Sequence, residues 1–147
     1  VGMNLTAAAS LAVKKFLDIG AKEFYQVGAF TSASPISNEL SDSKSELDVC
    51  FFTIARPEEF EFDVFSTSNN HNWLSADEIT RLDQVSQVQI KSAFLELKRR
   101  ARFENLAFQF LNAEFSLSDL QKVFESILEK TIDVRNFRKK IDARIQN

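Results

Sequence analysis

The chain has 147 residues, enough for one domain or for one domain with a small second one. Hydrophobic residues make up 44% of it, as in globular proteins, and 15 Phe against one Trp and one Tyr predict a core built from phenylalanine. One Cys and one His exclude an internal disulfide and a zinc site built from Cys and His ligands. No apolar run approaches the roughly 20 residues that span a bilayer. We therefore expect a soluble, cytoplasmic protein with no membrane partner and no cofactor.

The net charge of −3 hides a division between the two ends of the chain. Residues 1–97 carry 7 Lys/Arg and 14 Asp/Glu, whereas residues 98–147 carry 11 Lys/Arg and 7 Asp/Glu. The C-terminal third is therefore basic, which indicates a polyanionic partner for that part.

The first part of the chain combines helix and strand patterns. The predicted elements are a helix over 5–17, strands over 23–30, 47–55 and 60–66, a polar loop over 31–46, a short helix capped by Ser75, and a long amphipathic helix over 84–102. Gly20 is expected to end the first helix, and Phe16 to pack in the core. Cys50 lies in an apolar run and is expected to be a buried, inert thiol. His71 is interpreted as an exposed turn residue, and Trp73 as a core residue or as part of a ligand pocket.

The last part of the chain predicts three short helices. The first, "ENLAFQFL", places Leu106, Phe110 and Leu111 inward. The second opens with a capping box, Ser116-x-x-Asp119, and then shows Leu117, Leu120, Val123, Phe124, Ile127 and Leu128 at helical spacing. The third has Asp133 as N-cap, an apolar face of Val134, Phe137 and Ile141, and an opposite face with Arg135, Arg138, Lys139 and Asp142. Three short helices with a cationic last one are typical of a helix-turn-helix.

The residue types on the third helix suit double-stranded DNA. Arg135 and Arg138 can read guanine and Asn136 can read adenine in the major groove, whereas Lys139 and Lys140 suit phosphates. A solvated charged surface remains open as an alternative, because exposed Arg and Lys are common on helices.

Residues 107–141, "AFQFLNAEFSLSDLQKVFESILEKTIDVRNFRKKI", resemble the C-terminal winged helix-turn-helix of the Nudix-related transcriptional regulators. The positions shared with that family's pattern are Ala107, Phe108, Phe115, Leu117, Ser118, Leu120, Gln121, Glu125, Ile127, Leu128, Asp133, Arg135, Asn136, Phe137, Arg138 and Lys139. The resemblance implies a repressor, usually a homodimer, that binds operator DNA and releases it when an effector binds the N-terminal domain. It adds Ser118 to the expected DNA-binding residues Arg135, Asn136, Arg138, Lys139 and Lys140.

The N-terminal part resembles the sensor domain of the same family, a Nudix-like fold without its catalytic carboxylates. In a Nudix hydrolase, a helix presents several carboxylates to Mg²⁺ beside a pyrophosphate. The catalytic helix of that family carries an Arg, a Glu directly after it, and a pair of Glu further on. When "LTAAASLAVKKFL" is aligned with this pattern, Leu11 stands at the position of the Arg, Ala12 at that of the first Glu, and Lys15 and Phe16 at those of the Glu pair. We therefore expect no catalytic residue, no metal site and no enzymatic activity. The family implies a sugar or nucleotide-sugar effector, such as ADP-ribose, and no residue here chooses between them.

These expectations define an α+β protein: a partial Nudix-like α/β/α sandwich over 1–102, then a helix-turn-helix domain over 103–147. Compared with the family, the chain is expected to lack the N-terminal strands and the C-terminal wing. Two alternatives to a ligand-responsive regulator remain at this point: a Nudix-type pyrophosphate hydrolase, and a protein-interaction module that uses the helices only to dimerise.

Overall fold

The computed structural model describes residues 3–20, 22–31, 47–60 and 74–145, in two compact units that divide between Phe94 and Leu95. The elements are helix α1 (Leu5–Leu17), strands β1 (Tyr25–Thr31) and β2 (Leu47–Phe52), and helices α2 (Gln84–Phe103), α3 (Leu117–Leu128) and α4 (Val134–Ile145). Short 3₁₀ helices cover Pro57–Glu59, Ala76–Arg81 and Asn105–Phe110. The chain therefore mixes helices and strands, as predicted. The division lies inside α2, earlier than the boundary predicted after residue 102, and that domain boundary stays a prediction.

Helix α1 forms over the predicted range but ends differently. Its first turn is capped by Asn4, whose side-chain oxygen accepts the N–H of Ala7 at 2.7 Å. The helix ends at Asp18, which adopts left-handed backbone angles (φ 50°) and donates its N–H to the carbonyl of Lys14. The prediction that Gly20 ends the helix was therefore wrong. Phe16 was also misplaced, since its side chain is 62% exposed rather than packed in the core.

Strands β1 and β2 pair antiparallel, with Tyr25 opposite Phe52 and Thr31 opposite Leu47. The register shifts between Gln26 and Gly28, as at a β-bulge. The Tyr25 and Phe52 rings stack with centroids 5.0 Å apart, which is the kind of cross-strand aromatic pair that stabilises a two-stranded ribbon. The second strand stops at Phe52, three residues short of its predicted end.

The thiol of Cys50 on β2 is half-buried. Partial burial raises its pKa above the ordinary value, and the nearby carboxylate of Asp48 adds to the rise. A thiol with a raised pKa is a poor nucleophile at neutral pH. Cys50 was predicted to be buried and is half-buried instead, and its inert role stays a prediction.

The segment before the long helix is capped as predicted. Glu78 accepts hydrogen bonds from the backbone N–H and the hydroxyl of Ser75, at 3.1 and 3.2 Å. Helix α2 begins at Gln84, and Asp83 Oδ1 accepts the N–H of Ser86 at 3.0 Å. The predicted span of 84–102 is thus confirmed within one residue. The predicted loop beyond Thr31, the third strand beyond Phe60, and the roles of His71 and Trp73 lie outside the described residues.

The C-terminal unit packs the end of α2, the Asn105–Phe110 turn, α3 and α4 around one apolar core. Its buried members are Ala101, Ala107, Leu120, Phe124, Ile127, Phe137 and Ile141. Burial of large apolar side chains supplies most of the stability of a small helical unit, because each contributes roughly 1.5–3 kcal/mol.

Helix α3 starts with the predicted capping box. The N–H of Asp119 donates to Ser116 Oγ at 3.1 Å, and the N–H of Ser116 donates to Asp119 Oδ2 at 3.1 Å. Two predicted core positions differ from the structure: Phe110 is exposed, and Val134 is 50% exposed. Val134 is the first residue of α4, where the helix has not yet reached the core that covers Phe137 and Ile141.

A charged cluster on the C-terminal half of α2 surrounds Glu96. Its carboxylate accepts hydrogen bonds from Arg99 Nε and Nη2 and from Arg100 Nε, each at 2.7 Å. The Arg99 guanidinium above all, helped by Arg100, lowers the pKa of Glu96 from 4.5 to about 2.

This cluster predicts a specific acid sensitivity. Because the folded-state pKa of Glu96 lies below its unfolded value, its stabilising effect is fully present above the unfolded value of 4.5 and is lost as the pH falls towards about 2. We expect Glu96→Gln to be less stable than the wild type at neutral pH, with the difference shrinking as acid is added. Urea unfolding followed by circular dichroism over this range measures it. Glu114→Gln, at an exposed position, is the matched control. A wild-type minus Glu96→Gln difference that does not change with pH would contradict the assignment.

Candidate nucleic-acid interface

Helices α3 and α4 form a tight helical pair joined by residues 129–133. Helix α3 ends where Glu129 adopts left-handed backbone angles (φ 51°, ψ 44°). Asp133 Oδ1 accepts the N–H of Asn136 at 2.9 Å, which confirms the predicted cap of α4. The rings of Phe124 and Phe137 meet edge to face with centroids 5.5 Å apart, and so join the two helices through the core.

Side chains of α3 also hold the turn itself. The N–H of Ile132 donates to Glu125 Oε1 at 2.8 Å, and Gln121 Nε2 donates to the carbonyl of Ile132 at 3.0 Å. Gln121 Nε2 lies 3.1 Å from Glu125 Oε1 as well, so the two side chains also contact each other. The Ile132 amide, and after it Gln121, lower the pKa of Glu125 below its ordinary value. Both backbone polar groups of Ile132 are therefore satisfied by α3.

One face of α4 is cationic and exposed. Phe137 and Ile141 are buried against the core. Because each helical residue turns by about 100°, Arg135 and Lys139, each two positions from Phe137, project away from it. Within residues 74–145, no ion pair involves Arg135, Arg138, Lys139 or Lys140. These charges are available to a polyanion.

A cleft on one flank of α4 brings two predicted residues together. Ser118 on α3 and Arg138 on α4 both line it, together with Leu117, Gln121, Lys122, Glu125 and Val134. The volume of the cleft is about 240 Å³. A hydroxyl and a guanidinium across such a cleft suit a phosphate, to which both can donate.

Lys122 lines the same cleft and was missed by the sequence reasoning. It lies four residues after Ser118 on α3 and is exposed, and within residues 74–145 its ion pair is a long contact of 3.8 Å with Asp119. The i, i+4 spacing from Ser118 was the signal that could have found it, because it places both side chains on one face of a helix.

The other flank of α4 carries the remaining two predicted residues. Asn136 and Lys140 line a wider groove of about 700 Å³. Its walls include Phe103 at the end of α2, Phe124 and Leu128 on α3, and Phe137 and Ile141 on α4, so its floor is largely apolar. The six predicted residues therefore do not form one patch: Ser118 and Arg138 face the cleft, Arg135 and Lys139 point outward, and Asn136 and Lys140 border the groove.

Neither a metal centre nor a membrane span is found in the part of the chain that the structure describes. Across 3–20, 22–31, 47–60 and 74–145, no group of three or more His, Cys, Asp or Glu side chains could hold a metal ion. No helix within those ranges has the length and apolar character required to cross a membrane.

Short helices joined by a clamped turn, with the last helix presenting a cationic face, define a helix-turn-helix domain. Residues 107–145 match the family described as the NrtR DNA-binding winged helix domain. No curated protein sequence matched the chain significantly.

Solved structures extend the likeness to nearly the whole chain. The fold is similar to that of Shewanella oneidensis NrtR complexed with a 27mer DNA, with a TM-score of 0.76 and 16% identity over 97% of this chain. It is similar also to Shewanella oneidensis NrtR in a second structure, with a TM-score of 0.74 and 16% identity over 97% of this chain. This chain spans 63% and 64% of the length of those two chains. At such identity, the likeness shows the fold.

Proposed function

We propose that this chain is a ligand-responsive transcriptional regulator that binds double-stranded DNA through α3 and α4. The observation that carries the proposal is the exposed cationic face of α4, which no ion pair within residues 74–145 neutralises, beside a cleft lined by Ser118 and Arg138. Two further findings support it: the match of residues 107–145 to a DNA-binding winged helix domain, and the similar fold of an NrtR that is complexed with DNA.

Within this proposal, the predicted residues have separate tasks. Arg135 projects away from the core in the first turn of α4 and is assigned to base edges, where a bidentate arginine contact with guanine discriminates by about 1–3 kcal/mol. Arg138 and Ser118 hold a phosphate in the cleft, with Lys122 nearby. Lys139 adds a phosphate contact, whereas Asn136 and Lys140 reach DNA only along the groove flank of α4.

The N-terminal unit is proposed to be a Nudix-like sensor rather than a hydrolase. Its helix α1, "LTAAASLAVKKFL", contains no Asp or Glu, and the positions aligned with the catalytic carboxylates carry Ala12, Lys15 and Phe16. A cation at that place repels Mg²⁺. We propose that the unit binds a sugar or nucleotide sugar, such as ADP-ribose, and that the protein acts in the cytoplasm as a homodimeric repressor.

Salt-dependent DNA binding tests the proposal. Fluorescence anisotropy of a labelled pool of random duplexes is measured with the wild-type chain at several salt concentrations. We expect the logarithm of the binding constant to fall linearly with the logarithm of salt, with a slope near −0.9 per phosphate contact. ADP-ribose with Mg²⁺ is then added, both as an effector and as a hydrolase substrate. Absence of DNA binding at low salt by the folded protein would overturn the proposal, and hydrolysis of ADP-ribose would favour an enzyme.

A further inference from the structure

The mutual angle of α3 and α4 depends on their packing in the shared core and on the turn between them. In the core they meet through the edge-to-face rings of Phe124 and Phe137. An aromatic pair of this kind holds a distance well but resists rotation poorly, since its preference for one geometry is worth only about 0.5–1.5 kcal/mol. The turn between the helices supplies a second restraint, through hydrogen bonds that have a fixed direction.

The turn is restrained at Ile132, two residues before α4 begins. Both of its backbone polar groups bond to side chains of α3: its N–H to Glu125 Oε1 at 2.8 Å, and its carbonyl to Gln121 Nε2 at 3.0 Å. Because Ile132 donates in one hydrogen bond and accepts in the other, the two bonds together fix both the position and the orientation of its backbone. Because Asp133 and the first turn of α4 follow directly, the direction of α4 is set there.

We infer that Gln121 and Glu125 are positioning residues, which clamp the turn and so set the angle at which α4 presents Arg135, Arg138 and Lys139. The inference rests on the proposed function in its DNA-binding part. Its structural part, the angle between α3 and α4, is measurable without DNA.

Charge alone gives the opposite expectation for Glu125. The carboxylate lines the same cleft as Ser118, Lys122 and Arg138, so its negative charge weakens the attraction of the cleft for a phosphate. A bulk electrostatic view therefore predicts that loss of this carboxylate strengthens DNA binding. If Glu125 clamps the turn, its loss should instead weaken DNA binding, unless the replacement keeps a side-chain oxygen that accepts the N–H of Ile132.

A matched pair of variants separates the two effects in the full chain. Glu125→Gln and Glu125→Ala remove the same charge, but only Gln keeps an oxygen that can accept the N–H of Ile132 and the amide of Gln121. Residual dipolar couplings of backbone amides in α3 and α4 report the angle between the helices, and hydrogen exchange reports the Ile132 N–H. We expect Glu125→Ala to change the angle beyond the roughly 10–20° that a binding constellation tolerates. We also expect it to speed exchange at Ile132 by about tenfold. Glu125→Gln should leave both close to the wild type.

Gln121→Leu is a second variant that removes the other hydrogen bond without altering charge. It should shift the angle in the same way, whereas Ser126→Ala, at an exposed position on α3, should not. If the wild type binds the random duplex pool, Glu125→Ala and Gln121→Leu should lose about tenfold in affinity for the duplexes that the wild type selects from it. Their affinity for unselected duplexes should not fall.

An unchanged angle between α3 and α4 in both Glu125→Ala and Gln121→Leu would overturn the inference, whatever happens with DNA. An equal response of Glu125→Ala and Glu125→Gln would overturn it too, because charge would then be the cause. If the wild type does not bind DNA, the proposed function fails, and the angle still decides whether the two residues clamp the turn.

Discussion

Replacing Arg135 and Arg138 together by alanine is expected to abolish most of the DNA affinity of this protein while leaving it folded. Both side chains are exposed, so their truncation removes no core packing. A base contact made by Arg135 is worth about 1–3 kcal/mol, and removal of one phosphate-binding cation at Arg138 reduces the salt slope by about one. We expect a loss of roughly 100-fold or more at low salt, measured by anisotropy of the labelled duplex pool.

The matched control for this variant is Lys14→Ala/Lys15→Ala. This control also removes two positive charges, but from exposed positions on α1, in the N-terminal unit. If long-range attraction between net charges explained binding, both double variants would lose affinity alike. Equal losses would therefore contradict an interface on α4.

Single variants refine the assignment within the interface. Arg135→Ala should relax discrimination between duplexes that the wild type ranks differently, whereas Lys139→Ala should weaken all duplexes alike and flatten the salt dependence. Equal and salt-independent effects of both changes would show that the division between base reading and phosphate binding is wrong.

Leu120→Ala is expected to have the largest effect on stability. Leu120 is 0% exposed and lies at the centre of the apolar core that joins α2, α3 and α4. Truncation of a fully buried leucine costs about 2–5 kcal/mol, through reduced apolar burial and through the cavity that remains. For a small helical unit this is a large part of the total stability.

Hydrogen exchange of the amides in α3 and α4 measures that loss without interference from the N-terminal unit. Leu95→Ala is the control, because Leu95 is 68% exposed on α2 and its truncation should change the free energy of unfolding by less than about 0.5 kcal/mol. Similar losses in the two variants would mean that the burial of Leu120 does not stabilise the unit.

Local patterns predicted the C-terminal helices well, and physical reasons explain why. The capping box of Ser116 and Asp119 and the cap at Asp133 act over three residues, so the sequence alone specifies them. The apolar spacing of Leu120, Phe124 and Ile127 likewise fixes the buried face of α3.

Features that depend on tertiary surroundings were not predictable in the same way. Gly20 is the residue type that usually ends a helix, yet Asp18 takes the left-handed conformation two residues earlier. The exposure of Phe16 and Val134 depends on which other elements pack against them, and the spacing of apolar residues along the sequence does not specify those neighbours. The hydrogen bonds of Gln121 and Glu125 with Ile132 span 11 and 7 residues across a turn, so no short motif reveals them.

The charges on the outward side of α4 are unevenly distributed along the helix, because a carboxylate, Asp142, follows the cations. Asp142 lies on the outward side of the helix, beyond Arg135, Arg138 and Lys139, which all fall within the first six residues of Val134–Ile145. The positive end of the helix dipole is at the same N-terminal end, so the dipole adds to the attraction of phosphates there. If α4 binds DNA as proposed, we expect its N-terminal end to lie nearest to the DNA. In that case, an operator read by one copy of the chain should hold only a few specified base pairs.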